Sequence, residues 1–93
     1  MTKKTVRKHF EFYGEVQGVG FRWICRQSAS ACGGTGWVRN EYDGSVTLEL
    51  QGSEEQIAGV IDMLKKDSWI RIRHMDVREA PVDGEERSFR VRY

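Results

Sequence analysis

Between His9 and Val16 the side chains alternate, with Phe10, Phe12 and Val16 on one side and His9, Glu11, Tyr13 and Glu15 on the other. A period of two predicts a half-buried strand. Glycines at 14, 18 and 20 interrupt it. From Phe21 the spacing becomes helical: Phe21, Ile24, Cys25, Ser28 and Cys32 share one face, and Gly33 stands where a left-handed cap belongs. Thr35 to Asn40 reads as a short strand holding Trp37 and Val38. After the turn pair Asp43-Gly44, Val46, Leu48 and Leu50 alternate with Thr47, Glu49 and Gln51, which completes a β-hairpin. The second helix is the sharpest element. Ile57, Val60, Ile61 and Leu64 recur at i, i+3, i+4 and i+7 behind a Ser53-x-x-Gln56 capping box, with Glu54 and Glu55 at the start and Lys65 and Lys66 at the end. Trp69, Ile70 and Ile72 open a further strand whose parity slips near His74, as a β-bulge would make it do. A turn at Asp83-Gly84-Glu85-Glu86 precedes a last alternation of Phe89, Val91 and Tyr93.

This order places two β-α-β units in succession with an extra strand behind them. It predicts an α+β, ferredoxin-like sandwich: a split β-α-β in which two helices cover one face of an antiparallel sheet of four to five strands, the other face being wet. Ninety-three residues are one domain's worth, so 1–93 is expected as a single domain. The first nine residues hold four Lys and Arg and no acid, and the stretch 1–8 is expected as a flexible basic tail. No apolar run is long enough for a secretory signal or a membrane span, which points to the cytoplasm.

Charge and cysteine usage narrow the choice of chemistry. Fifteen Lys and Arg against fourteen Asp and Glu give a net charge of +1, without the basic excess of a nucleic-acid binder. Cys25 and Cys32 lie seven residues apart in the first helix, about 10 Å along its axis, too far for a disulfide. They are expected as thiols, and no metal site is expected, since no His stands near them at ligand spacing. The segment Gly14-Glu15-Val16-Gln17-Gly18-Val19-Gly20-Phe21-Arg22 suits an anion. Glycines let successive N–H groups face one concavity, the helix N-terminus adds partial positive charge, and Arg22 offers a planar fork for two phosphate oxygens. The plain alternative is a strand-to-helix turn with a solvated arginine. The segment matches neither GxxxxGK[ST] nor a dinucleotide fingerprint, so nucleoside-triphosphate chemistry is disfavoured.

A second motif lies downstream. Gly-x-Val-Gln-Gly-Val-Gly-Phe-Arg over 14–22, followed by Gly-Trp-Val-Arg-Asn over 36–40 and Asp-Gly-Ser-Val over 43–46, resembles the acylphosphatase family, and Gly52 and Phe89-x-Val91-x-Tyr93 match as well. The resemblance runs from about Phe10 to Tyr93. It implies hydrolysis of a small-molecule acyl phosphate to a carboxylate and inorganic phosphate, without metal or organic cofactor, by a monomer. It also implies that Arg22 binds the phosphoryl group, that Asn40 positions the attacking water, and that the stretch Glu15, Val16, Gln17, Gly18, Val19, Gly20 and Phe21 forms the substrate-binding loop. Two departures from the pattern are remote from that site: Gly34, where an apolar residue is expected, and Asp67-Ser68, where a Gly-Pro turn is common.

Other residues invite competing readings. His9 and His74 lie on strands away from the loop without a partner at catalytic spacing, so structural or surface roles are expected. Cys25 faces the core and is expected to be inert. Trp23 is expected to pack over the loop. Arg26 follows Arg22 by one helical turn and shares its face, as a solvated group or one that steers anions. Arg39 has the opposite strand parity to Asn40 and should point away. The alternative function is a non-catalytic binding module whose sheet face meets RNA or a protein, but Thr47-Leu48-Glu49-Leu50 is unlike the aromatic-rich stretch of RNA readers with this fold. With no linker or second domain in 93 residues, an accessory unit of a larger enzyme is not expected.

Overall fold

The computed structural model describes residues 4–93. It contains β1 (Val6–Glu15), α1 (Phe21–Cys32), β2 (Thr35–Asn40), β3 (Val46–Gly52), α2 (Glu54–Lys66), β4 (Arg71–Ala80) and β5 (Phe89–Arg92). The strands form one sheet in the order β4-β1-β3-β2-β5. Every pair is antiparallel except β2 with β5, so the expected all-antiparallel sheet is in fact mixed. The reason is topological: the chain leaves β4 at one edge, crosses through residues 81–88 and returns at the other edge along β2.

The inward sheet residues Phe10, Phe12, Val38, Val46, Leu48 and Leu50 meet Phe21 and Cys25 of α1 and Ile57, Val60, Ile61 and Leu64 of α2 in one core. Phe12 and Phe21 touch with ring centres 5.1 Å apart. Each such aromatic contact adds about 0.5–1.5 kcal/mol beyond the area it buries. The helices themselves approach closely: a Cβ on Gly59 would come within 2.8 Å of Cys32 Sγ. The capping box of α2 is formed at both ends, with Gln56 N donating to Ser53 Oγ at 3.1 Å and Ser53 N donating to Gln56 Oε1 at 2.9 Å. At the Asp67-Ser68 turn, Asp67 Oδ1 accepts from Trp69 N at 2.8 Å and Ile70 N at 3.3 Å, so a side chain closes the turn.

The slip in β4 lies where the alternation breaks. Tyr13 pairs with His74 and Gly14 with Ile72, leaving Arg73 as the extra residue of a bulge. Trp69, expected at the start of that strand, is exposed and precedes it.

The basic stretch 1–8 needs correction from Val6 onward; residues 1–3 lie outside the described residues. Val6, Arg7 and Lys8 are in β1, and Arg7 is buried. Its Nε donates to Glu49 Oε1 at 2.7 Å, and its two terminal nitrogens donate to the carboxylate of Glu86 at 2.9 and 3.1 Å. Gln51 fastens the same crossing segment, donating to the Asp83 carbonyl and accepting from Asp83 N, both at 2.8 Å. The face expected to be wet is thus partly roofed by residues 81–88. An arginine in a basic run reads as solvated until acids distant in sequence are brought over it.

Candidate active site

The loop between β1 and α1 hangs from its apolar residues. Val16 and Phe21 are fully or almost fully buried, and Val19 packs partly against the core. Between them Gly18 and Gly20 have φ of +73° and +82°, whereas Gln17 and Val19, like every other non-glycine residue described, avoid positive φ. Alternation in the sign of φ turns successive amides toward one concavity, the geometry of a backbone nest for anions. Gly20 is also the N-cap of α1 and supplies no side-chain cap. Among the described residues, the amides of Gln17, Gly18, Val19 and Gly20 donate to no other protein group.

The loop is held from outside by one side chain. Gln17 Nε2 donates to the carbonyls of Glu41 at 2.7 Å and Ser45 at 2.8 Å, which lie on the β2–β3 connection just beyond Asn40. That connection is braced in turn. Asp43 Oδ1 accepts from Ser45 N at 3.0 Å and Ser45 Oγ at 2.6 Å, and these bonds hold its carboxyl below the usual carboxylate range. Glu41 is likewise held low, chiefly by its bond from Arg39 and then by one from Thr47.

These parts enclose a cavity of about 280 Å³ bordered by Val16, Gly18, Gly20, Phe21, Arg22 and Asn40, with Trp23, Arg26, Val91 and Tyr93 at its sides. Arg22 stands in the first turn of α1, and its guanidinium lies 5.1 Å from the centre of the Tyr93 ring. Asn40 ends β2, and its Oδ1 is buried without a hydrogen-bond partner among the described residues. A buried amide oxygen left unpaired costs about 1–3 kcal/mol. The residue itself borders the cavity.

Of the residues expected at the site, Arg22, Asn40, Val16, Gly18, Gly20 and Phe21 are brought together. Glu15, Gln17 and Val19 do not border the cavity. Glu15 is exposed, near Arg71 and Arg73 at 3.4 and 3.6 Å; Gln17 is the tether and Val19 an apolar anchor. Arg39 points elsewhere, as its strand parity requires: it pairs with Glu41 at 2.9 Å and lies over Trp37. His9 bonds Glu49 and His74 bonds Asp76, both away from the cavity. Burial pushes the Cys25 thiol far up, out of reach as a nucleophile. Among the described residues no group of three His, Cys, Asp or Glu is placed to hold a metal ion.

Two contacts escaped the sequence reading. Tyr93 could be paired with Arg22 only by knowing that β5 lies beside β2, and the Gln17 tether depends on the hairpin turn meeting the loop.

Comparison with known proteins gives a consistent result. The acylphosphatase family model matches residues 8–91. An acylphosphatase of Bifidobacterium longum is 43% identical over 89 residues, covering 94% of this chain and 92% of that one. The crystal structure of acylphosphatase from Bacillus subtilis superposes with a TM-score of 0.86 at 26% identity, over 95% of this chain and 99% of that chain. Full-length HypF, solved in a phosphate- and nucleotide-bound form, contains a match with a TM-score of 0.89 at 27% identity; it spans 100% of this chain but 12% of that one.

Proposed function

The chain belongs to the acylphosphatase family, and from that membership we propose that it hydrolyses acyl phosphates to a carboxylate and inorganic phosphate in the cavity between the β1–α1 loop and Asn40. Arg22 grips the phosphoryl group and the loop amides cradle its oxygens. Asn40 Oδ1 accepts a hydrogen bond from water and aims a lone pair at phosphorus.

Water oxygen bonds to phosphorus while the bond from phosphorus to the acyl oxygen breaks, and its electron pair leaves on the carboxylate. An acyl phosphate dianion and one water thus become a carboxylate and dihydrogen phosphate. A carboxylate whose conjugate acid has a pKa of about 4 departs without being protonated, so no general acid is needed. What remains is positioning and charge stabilisation, which a guanidinium fork, a nest of amides and one carboxamide can supply. The residues suffice without a metal or organic cofactor. The same proposal has the chain act as a single domain and a monomer in the cytoplasm, with a small molecule rather than nucleic acid as its partner. Among the described residues no helix is long and apolar enough to cross a membrane.

One observation supports this reading above the rest: Asn40, whose amide oxygen is buried with no partner among the described residues, borders the same cavity as Arg22 and the unbonded loop residues Gly18 and Gly20. The test is turnover of benzoyl phosphate by the purified protein without added metal, and absence of turnover would refute the activity. Arg22→Ala should lose phosphate binding and turnover together. Asn40→Ala should still bind phosphate, measured calorimetrically, while kcat falls about 10²-fold or more. Equal loss of phosphate binding in both variants would overturn the division of roles.

A further inference from the structure

Arg26 lies one turn beyond Arg22 on α1 and borders the same cavity. It is exposed, and no ion pair, hydrogen bond or ring contact engages it among the described residues. Several other arginines are engaged: Arg7 by Glu49 and Glu86, Arg39 by Glu41, Arg71 and Arg73 by Glu15, Arg22 by the Tyr93 ring; Arg78 and Arg90 share the freedom of Arg26 among the described residues but do not border that cavity. Arg26 also borders a neighbouring cavity of about 360 Å³ that contains Arg87, and it is the one residue shared by the two linings. Among the described residues no Asp or Glu borders either cavity.

An acyl phosphate held by Arg22 and the loop must send its acyl group out of the first cavity. Side chains four apart on a helix start about 6 Å from one another, so an acyl group of a few atoms that leaves along this face of α1 passes Arg26. The reaction itself has no use for a second unopposed cation there, since the phosphoryl charge already meets the loop and Arg22. Resting on the acylphosphatase reading above, we infer that Arg26 is a specificity residue that favours acyl phosphates with a second anionic group, a carboxylate or a phosphate ester, at the far end of the acyl chain. The adjoining cavity gives that end room, and Arg87 extends the positive potential beyond it.

The probes are benzoyl phosphate and 4-carboxybenzoyl phosphate, which differ by one para carboxylate too rigid to attack its own anhydride. The wild type should favour the carboxylated substrate in kcat/KM, chiefly through KM. Arg26→Gln should lower the ratio of the two kcat/KM values about fivefold, the scale of one exposed ion pair, and Arg26→Glu should lower it further. The preference should shrink between 0.02 and 0.5 M salt, a range in which the Debye length falls from roughly 20 Å to less than 5 Å. An equal fall on both substrates would mean that Arg26 acts on the shared phosphoryl group and would overturn the inference, as would an unchanged ratio. If the wild type turns over neither probe, the activity itself is refuted, a failure read without any Arg26 variant.

Discussion

The Arg22 guanidinium packs on the face of the Tyr93 ring at 5.1 Å, so the cation expected to hold phosphate is oriented by the residue after β5, remote from it in sequence. The ring is itself exposed, and a cation–π contact at such a site contributes about 0.5–1 kcal/mol. Tyr93→Ala should lower kcat/KM for benzoyl phosphate about three- to fivefold, and Tyr93→Phe should restore most of it. Failure of phenylalanine to rescue would assign the effect to the hydroxyl instead.

Gln17 should matter to the loop rather than to bond cleavage. Its amide nitrogen serves two carbonyls at once, and losing both bonds costs about 1–3 kcal/mol. Gln17→Leu should weaken phosphate binding, measured by calorimetry, and lower the midpoint of urea unfolding. Gln17→Glu should do worse, because a carboxylate would face two carbonyl oxygens. Phosphate binding undiminished in Gln17→Leu would show that the loop holds its shape without the tether.

The roofed side of the sheet should govern stability in acid. For Glu49, burial raises the carboxyl pKa, but hydrogen bonds from His9 and Arg7 outweigh it and hold the group below its ordinary value. A depressed carboxyl contributes stability that is complete above the unfolded value of about 4.3 and is lost as pH falls through the lower folded value. Urea midpoints measured from pH 6 to pH 2.5 should therefore drop steeply below about pH 4.5 in the wild type and less steeply in Glu49→Gln. Arg7→Ala, which strands two carboxylates, should cost about 3 kcal/mol at neutral pH.

Ser28 offers the opposite sign. Its hydroxyl is fully buried in α1 and has no hydrogen-bond partner among the described residues. Ser28→Ala removes that unpaired group and favours the helix, so it should raise stability by about 1 kcal/mol without changing the slope of urea unfolding.

The elements legible in the sequence were those governed by near neighbours. The capping box at Ser53 and Gln56, the αL glycine after α1 and the bulge in β4 each follow from a few adjacent residues. The family resemblance singled out Arg22 and Asn40, and both border the cavity. What stayed hidden depends on residues far apart in the chain. Nothing near Arg7 announces that Glu49 and Glu86 will enclose it, and nothing in Gln17 says that its side chain, rather than its backbone, does the holding. The parallel pairing of β5 with β2 was hidden for the same reason, since alternation in Phe89 to Tyr93 fixes a face but not a neighbour.

Because the nest between Val16 and Phe21 is made of peptide N–H groups beside an arginine, it carries nothing that gains or sheds a proton near neutrality. Such a receptor is blind to the proton and reads only the valence of its guest. Its grip on inorganic phosphate should therefore strengthen as the anion passes from one negative charge to two, so that the acidity profile of product inhibition belongs to phosphate and not to the protein.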